Sequence, residues 1–190
     1  MHRIIFTGAQ GTGKTTILNY YKEQGSLVIT EVVRNLSKKG VKINRDGDED
    51  GQTKIFKEYK KLLGVRDFQG YFSDRGLIDV VAYTKQLVTE GKVSQEFYEK
   101  QVKNLKKFIA DNPDIVYLYF PIEFAIEDDG VRDTDENYRN TIDANIRSLM
   151  EECNIPMITI AGSVEDRIGR VDKVRNWLVE GMKIYNDIWD

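Results

Sequence analysis

Residues Arg3 to Thr16 read RIIFTGAQGTGKTT, and GAQGTGKT meets every fixed position of the phosphate-cradling pattern G-x-x-x-x-G-K-[ST]. The spacing has a chemical reason. Gly8, Gly11 and Gly13 allow backbone turns that a Cβ would forbid. Successive N–H groups from Gly8 through Ala9, Gln10, Gly11, Thr12 and Gly13 can then converge on phosphate oxygens. A helix opening at Lys14 adds its positive N-terminal end. Lys14 is expected to turn its ammonium toward bound phosphates rather than into the core, Thr15 to ligate Mg²⁺, and Thr16 to continue the binding turn. Chance would produce this pattern in a chain of this length roughly once in a hundred or more sequences. Here it also lies between a strand-like run, Ile4–Phe6, and a helix-like run, Ile17–Tyr21, so the motif is read as a nucleotide site.

Further reactive side chains stand where later strands should end. Glu31 is followed three residues on by Arg34, which places both on one face of a helix start. Glu31 is a candidate general base for an acceptor hydroxyl, and Arg34 a clamp for acceptor phosphate or sugar. Asp74 could hold Mg²⁺ together with Thr15, while Arg75 could bind the acceptor and neutralise charge on a transferring phosphoryl group. A polar stretch from Glu127 to Asp135, inside a lid-like loop of about 121–139, carries Arg132, with Arg139 close behind. Closure of such a loop would exclude water and deliver an arginine, so Arg132 is counted with the catalytic and ATP-binding residues. His2 and Cys153 have no partners at metal-ligand spacing.

These positions need a scaffold, and short apolar runs alternate with helical patterns along the chain. Strands are expected at Arg3–Thr7, Leu27–Thr30, Phe68–Phe72, Asp114–Phe120 and Met157–Ile160. Helices are expected at Lys14–Gln24, Glu31–Lys39, Gln52–Leu63, Leu77–Thr89, Ser94–Ala110, Glu136–Glu152 and from Val164 to about Ile188. Asn44–Gly51, NRDGDEDG, is the expected mobile loop. Five strands separated by helices predict a three-layer α/β fold, a parallel sheet covered on both faces. Ligands in such sheets gather at the carboxyl ends of the strands.

The 190 residues suggest a single domain, 1–190, with no repeat or linker to divide it. One cysteine excludes an internal disulfide framework. No run approaches membrane-spanning length and the chain enters a strand at once, so a cytoplasmic protein without a membrane partner is expected. A net charge of −3 argues against a broadly basic surface. Basic residues nevertheless concentrate on two helices, with Lys54, Lys57, Lys60, Lys61 and Arg66 near one and Lys100, Lys103, Lys106 and Lys107 on another.

Taken together, GAQGTGKTT, Glu31-x-x-Arg34, SDRGLIDVVAY, DDGVR and GSVEDR resemble the P-loop kinases of the nucleoside and nucleotide kinase type. The nearest are small ATPase-like domains that include nicotinamide-riboside kinases and phage-encoded kinases. The resemblance spans nearly the whole chain. It implies a P-loop NTPase fold, a five-stranded parallel sheet in the order 2-3-1-4-5, and a Mg-ATP-dependent kinase. It further implies Glu31 as base, Asp74-Arg75 as the acidic-basic pair after strand three, Arg132 as lid arginine, and Gly162 and Arg167 beside the adenine. Polynucleotide 5′-kinases also carry an acid with an arginine three residues on, and phage kinases acting on 5-hydroxymethyluracil in DNA resemble the same group. Gly76 departs from the serine that deoxynucleoside kinases favour after the arginine.

With the two lysine faces and Arg34, this points to a nucleotide or DNA-linked hydroxyl as acceptor, in its sharpest form the 5-hydroxymethyluracil base of phage DNA. The alternatives are a free nucleoside or nucleoside monophosphate. A reading of another class is an NTP-hydrolysing switch or a nucleotide-sensing regulator. Against it, no apolar strand ends in Asp-Glu, no Asn-Lys-x-Asp or Thr-Lys-x-Asp is present, and the chain is too short for an added helical lid domain.

Overall fold

The computed structural model describes residues 2–66, 70–125 and 135–189, with side chains of the last helix described only as far as residue 181. Five strands form one parallel sheet: β1 (Arg3–Thr7), β2 (Val28–Ile29), β3 (Tyr71–Asp74), β4 (Ile115–Tyr119) and β5 (Ile158–Thr159). Their order is β2-β3-β1-β4-β5, so β1, which feeds the glycine-rich loop, is central. This is the P-loop NTPase α/β arrangement that the resemblance implied. The helices are α1 (Lys14–Glu23), α2 (Val32–Ser37), α3 (Glu49–Leu63), α4 (Leu77–Thr89), α5 (Gln95–Asp111), α6 (Glu136–Glu152) and α7 (Val164–Trp189). Among the described residues no helix is long and apolar enough to cross a membrane.

The two-residue period of a strand divides the core between the two faces of the sheet. Ile5 of β1 joins one cluster, in which Phe56, Leu63, Val81, Leu105, Ile146 and Leu149 from α3, α4, α5 and α6 are buried. Ile4 and Phe6 join another with Ile17 and Leu18 of α1 and Val171 of α7. The central strand is therefore covered on both sides, as a continuous apolar run requires.

Register determines what reaches the ligand edge. β1 pairs with β3 as Arg3↔Tyr71 through Phe6↔Asp74, and with β4 as far as Thr7↔Tyr119. Asp74 is thus the last residue of its strand, level with the end of β1. The expected third strand, Phe68–Phe72, is corrected here. Phe68 lies outside the described residues, and the strand runs on through Ser73 and Asp74, whose short polar side chains hid them from an apolar-run reading.

The expected mobile loop Asn44–Gly51 is likewise replaced by structure. Asn44–Asp46 form a 3₁₀ turn, and α3 begins at Glu49, capped by the Asp48 carboxylate accepting from the Gly51 N–H at 2.8 Å. Its acidic run is a helix N-terminus, where carboxylates sit in a favourable field. Smaller shifts of one or two residues occur at other ends, as when Ser94 proves to be the cap of α5, accepting from the Phe97 N–H.

Candidate active site

The glycine-rich loop leaves β1 with three glycines at positive φ: Gly8 at 137°, Gly11 at 67° and Gly13 at 81°. Gly8 also leaves no room for a side chain, and at Gly13 the Arg167 guanidinium would have to shift to admit one. A Cβ on Gly8 would lie 2.4 Å from the Phe120 carbonyl oxygen, and one on Gly13 2.7 Å from Nη1 of Arg167.

The Lys14 ammonium is folded into the loop, donating to the carbonyls of Gly8 at 2.8 Å and Ala9 at 2.7 Å and to the Thr12 hydroxyl at 3.0 Å. The side chain is only 5% exposed, enclosed by the loop rather than by either apolar core, and it lines the cleft described below. Asp79 accepts from the N–H groups of Gly8 at 3.3 Å and Gly76 at 2.9 Å, tying the loop to the N-terminus of α4. Burial pushes the Asp79 carboxyl pKa up, against the opposing pull of Arg75 and Lys14.

Two buried arginines grip the loop's carbonyls. Arg139 donates to Gln10 O at 2.9 Å, Gly11 O at 3.0 Å and Phe124 O at 2.7 Å. Arg167 donates to Thr12 O and Gly162 O and pairs with Glu123, its guanidinium 4.8 Å from the Phe124 ring centre. The Gly162 N–H in turn donates to Glu123. These contacts engage the carbonyls of Gln10, Gly11 and Thr12, while the Gly8 N–H, expected to face phosphate, donates to Asp79 instead. Arg139 and Arg167 therefore act on the loop backbone, a role that side-chain type and spacing could not disclose. Arg132 lies outside the described residues.

A cleft of about 360 Å³ opens along this edge. The loop from Gln10 to Thr16 lines it, with Phe124, Ala125, Val164 and Arg167 at one end and Glu31, Arg34, Asn44, Tyr59, Arg75 and Tyr83 at the other. Gly8, Ala9 and Gly162 do not line it, although Gly8 and Ala9 shape the loop from within. The structure thus brings Lys14, Thr15, Thr16, Glu31, Arg34, Asp74 and Arg75 to one cavity. None of the lysines of α3 or α5 lines it. Lys54 pairs with Asp50, Lys106 with Glu152 and Lys107 with Asp111 instead.

Within the cleft the Thr15 hydroxyl stands 3.4 Å from an Asp74 carboxylate oxygen. Among the described residues no group of three or more His, Cys, Asp or Glu side chains could hold a metal. A hydroxyl beside one carboxylate fits Mg²⁺, which keeps several waters and takes few protein ligands alongside phosphate oxygens. Across the cleft Arg34 pairs with Glu31 at 3.1 Å, both partly exposed. Of the four described non-glycine residues at positive φ, three line this cleft: Glu31 at 62°, Asn44 at 52° and Arg75 at 72°. Such conformations are uncommon for residues with a Cβ, and they cluster at working sites.

Arg75 is anchored through its backbone, its N–H donating to Phe6 O at 2.9 Å and its carbonyl accepting from the Ser73 hydroxyl at 2.8 Å. Burial works to lower its pKa, but Tyr83, Asp74, Tyr59 and Asp79 outweigh that and raise it, so it stays a cation. Tyr59 donates to the Asp74 carbonyl at 3.1 Å, and Tyr83 to the Gln10 side-chain oxygen at 2.8 Å. Both tyrosines, with Asn44 and Phe124, escaped the sequence reading. Tyr59 and Tyr83 sit inside helices and Asn44 in a 3₁₀ turn, Phe124 lies in the irregular stretch after β4, and no motif spacing marks any of them.

Solved structures with the same fold are at low identity. The NadR protein in complex with NR matches with a TM-score of 0.74 at 17% identity, over 93% of this chain and 51% of that one. Deoxyadenosine kinase from M. mycoides with bound dATP matches with a TM-score of 0.68 at 17% identity, over 93% of this chain and 100% of that one. The NadR protein in complex with NAD and AMP-PNP matches at 0.67 and 15% identity, over 90% and 49%. The chain therefore spans about half the length of the NadR protein chains. Comparison with curated proteins gives no match. Residues 3–167, most of the chain and every described element that builds the cleft, match the AAA domain family, and the protein belongs to that family, with a kinase-like P-loop fold.

Proposed function

We propose that this protein is a Mg²⁺-dependent phosphotransferase that moves the γ-phosphoryl group of ATP to a hydroxyl of a small, nucleoside-type acceptor. The observation that carries the reading is the Thr15–Asp74 approach of 3.4 Å, with Glu31 and Arg34 opening on the same cleft. The loop N–H groups and Lys14 would hold the donor phosphates, with the ammonium exchanging loop carbonyls for phosphate oxygens. Thr15 and Asp74 would hold Mg²⁺, which supplies charge neutralisation at the phosphates. Glu31 takes the proton from the acceptor hydroxyl as its oxygen bonds to the γ-phosphorus. The bond from that phosphorus to the β-phosphate oxygen breaks, and ADP leaves with the electron pair. Arg75 balances charge on the equatorial oxygens.

Support for a compact acceptor comes from the cavity. Both lysine faces lie outside it, which removes the main argument for a polyanionic acceptor. The deoxyadenosine kinase structures, one with bound dATP and one with products dCMP and dCDP, supply a nucleoside-kinase precedent on the same fold. A DNA-linked hydroxyl, that of 5-hydroxymethyluracil included, has no comparable support.

A labelled γ-phosphate screen over free nucleosides, nucleoside monophosphates, DNA 5′-ends and DNA containing 5-hydroxymethyluracil tests the reading. Transfer to a free nucleoside, with an acceptor KM unchanged between about 50 and 200 mM salt, is the expected result. Transfer to DNA alone, with KM rising steeply over that range, overturns the compact acceptor. Hydrolysis without transfer to any acceptor replaces the kinase with a nucleotide-driven switch.

A further inference from the structure

Arg75 has the chemistry of an oxyanion-binding group, yet no described residue accepts a hydrogen bond from its guanidinium, and its Nε is buried without a partner. A half-buried arginine with no described hydrogen-bond acceptor for its guanidinium must be aimed by other contacts. Among the described residues the one ring contact of its guanidinium is with Tyr83, whose ring centre lies 5.6 Å from the Arg75 Cζ. Tyr83 is itself held at two points. Its hydroxyl donates to the Gln10 side chain in the phosphate loop at 2.8 Å. Its ring packs edge-on against Tyr138 of α6, with centres 6.3 Å apart. Gln10 in turn is braced through its carbonyl by Arg139. A continuous set of contacts thus runs from the donor loop, through the Tyr83 hydroxyl, to the ring face on which Arg75 rests.

We infer that Tyr83 is a positioning residue that aims the Arg75 guanidinium into the cleft and ties it, through Gln10, to the phosphate loop. The ring and the hydroxyl carry separable tasks. The ring face attracts the cation through its quadrupole without occupying any guanidinium N–H group, so the Nη donors stay available to substrate oxygens. The hydroxyl fixes the ring relative to the loop, so that movement of the loop around phosphate is felt by the arginine that faces the acceptor. As a route to transition-state stabilisation this depends on the phosphotransferase reading above, whereas the placement of Arg75 by the ring does not.

Two variants divide the tasks. Tyr83→Phe keeps the ring and loses the hydroxyl, and Tyr83→Met keeps much of the volume and loses both. The Arg75 Nε–Hε resonance, assigned by its disappearance in Arg75→Lys, reports the guanidinium without any need for activity. It is expected to keep its ring-shifted position in Tyr83→Phe and to collapse to the solvent-exposed position in Tyr83→Met. Affinity for AMP-PNP should weaken about threefold in both variants, since both lose the Gln10 contact. Turnover with acceptor should fall about tenfold further in Tyr83→Met than in Tyr83→Phe. Adding Arg75→Lys to Tyr83→Met should then cost little more, because the two changes remove one unit.

An Arg75 resonance unmoved in Tyr83→Met, AMP-PNP affinity unaltered in Tyr83→Phe, or equal turnover in the two variants overturns the inference. If Tyr83→Met fails to fold, Tyr83→Leu carries the same test. If no acceptor is phosphorylated by the unaltered protein, the functional reading fails, and the resonance and AMP-PNP titrations still decide the role of Tyr83.

Discussion

The Thr15 hydroxyl and the Asp74 carboxylate lie 3.4 Å apart although 59 residues separate them in the chain. One belongs to the first turn of α1, the other to the last residue of β3, and the parallel pairing of β3 with β1 sets them side by side. Asp74→Asn removes the charge while keeping the shape. The Mg²⁺ concentration for half-maximal turnover should rise about tenfold, with protein stability little altered. Metal titration of initial rates checks this, and an unchanged requirement combined with a shift in Glu31→Gln would exchange the two roles.

Glu31 lines the cleft with Arg34 as its 3.1 Å partner, and the proposed phosphotransferase makes it the base. Glu31→Gln should lower kcat by about 10²-fold and leave the KM for ATP nearly unchanged, because a base acts only on the acceptor proton. Steady-state kinetics with each substrate varied separately give the split.

Lys14 is bonded to the loop itself, beside the phosphate contact proposed for it. Lys14→Ala should slow transfer by 10²-fold or more. The same change strips three buried acceptors, Gly8 O, Ala9 O and Thr12 Oγ1, of one of their partners, and should cost about 1–3 kcal/mol of stability. Urea unfolding measures the second effect independently of the first.

Gly8→Ala meets both a 2.4 Å approach to the Phe120 carbonyl and a φ of 137°. Destabilisation beyond about 1 kcal/mol should result, along with loss of nucleotide binding. By contrast, Gly91→Ala, with a Cβ in open space, should lose only the smaller conformational term of its positive φ and bind nucleotide normally. Denaturant midpoints and nucleotide titrations of the two variants give the comparison.

Glu123 carries the pH dependence of the brace on Thr12. The Gly162 N–H first, and then Arg167, hold its carboxyl pKa below the usual 4.5. A depressed acid stabilises the fold above its unfolded pKa and loses that contribution as pH falls through the lower folded value. Glu123→Gln should therefore lower the Tm at neutral pH, and the difference from the unaltered protein should shrink as the pH drops below about 4.5. Melting curves between about pH 3 and 7 trace it.

The sequence by itself determined the phosphate loop, because its function lies in contiguous backbone and needs no partner to be recognised. It also determined the alternation of strands and helices, since buried parallel strands must be apolar and their helices amphipathic. Leu77–Thr89 and Glu136–Glu152 have the bounds read from their periodicity and flanking residues. Where side chains compete with pattern, as in Ser73-Asp74 at the end of β3 or Asp48-Glu49-Asp50 at the start of α3, polarity was read as loop. Only strand pairing and helix capping made those residues structured. The tertiary structure alone decided that Arg139 and Arg167 brace the loop from outside, and that the lysine faces of α3 and α5 stand apart from the cleft. It likewise decided that Tyr83 joins Gln10 to Arg75. Each of these is a distance between segments remote in sequence, and such distances are set by sheet order and register, which no single stretch of chain contains.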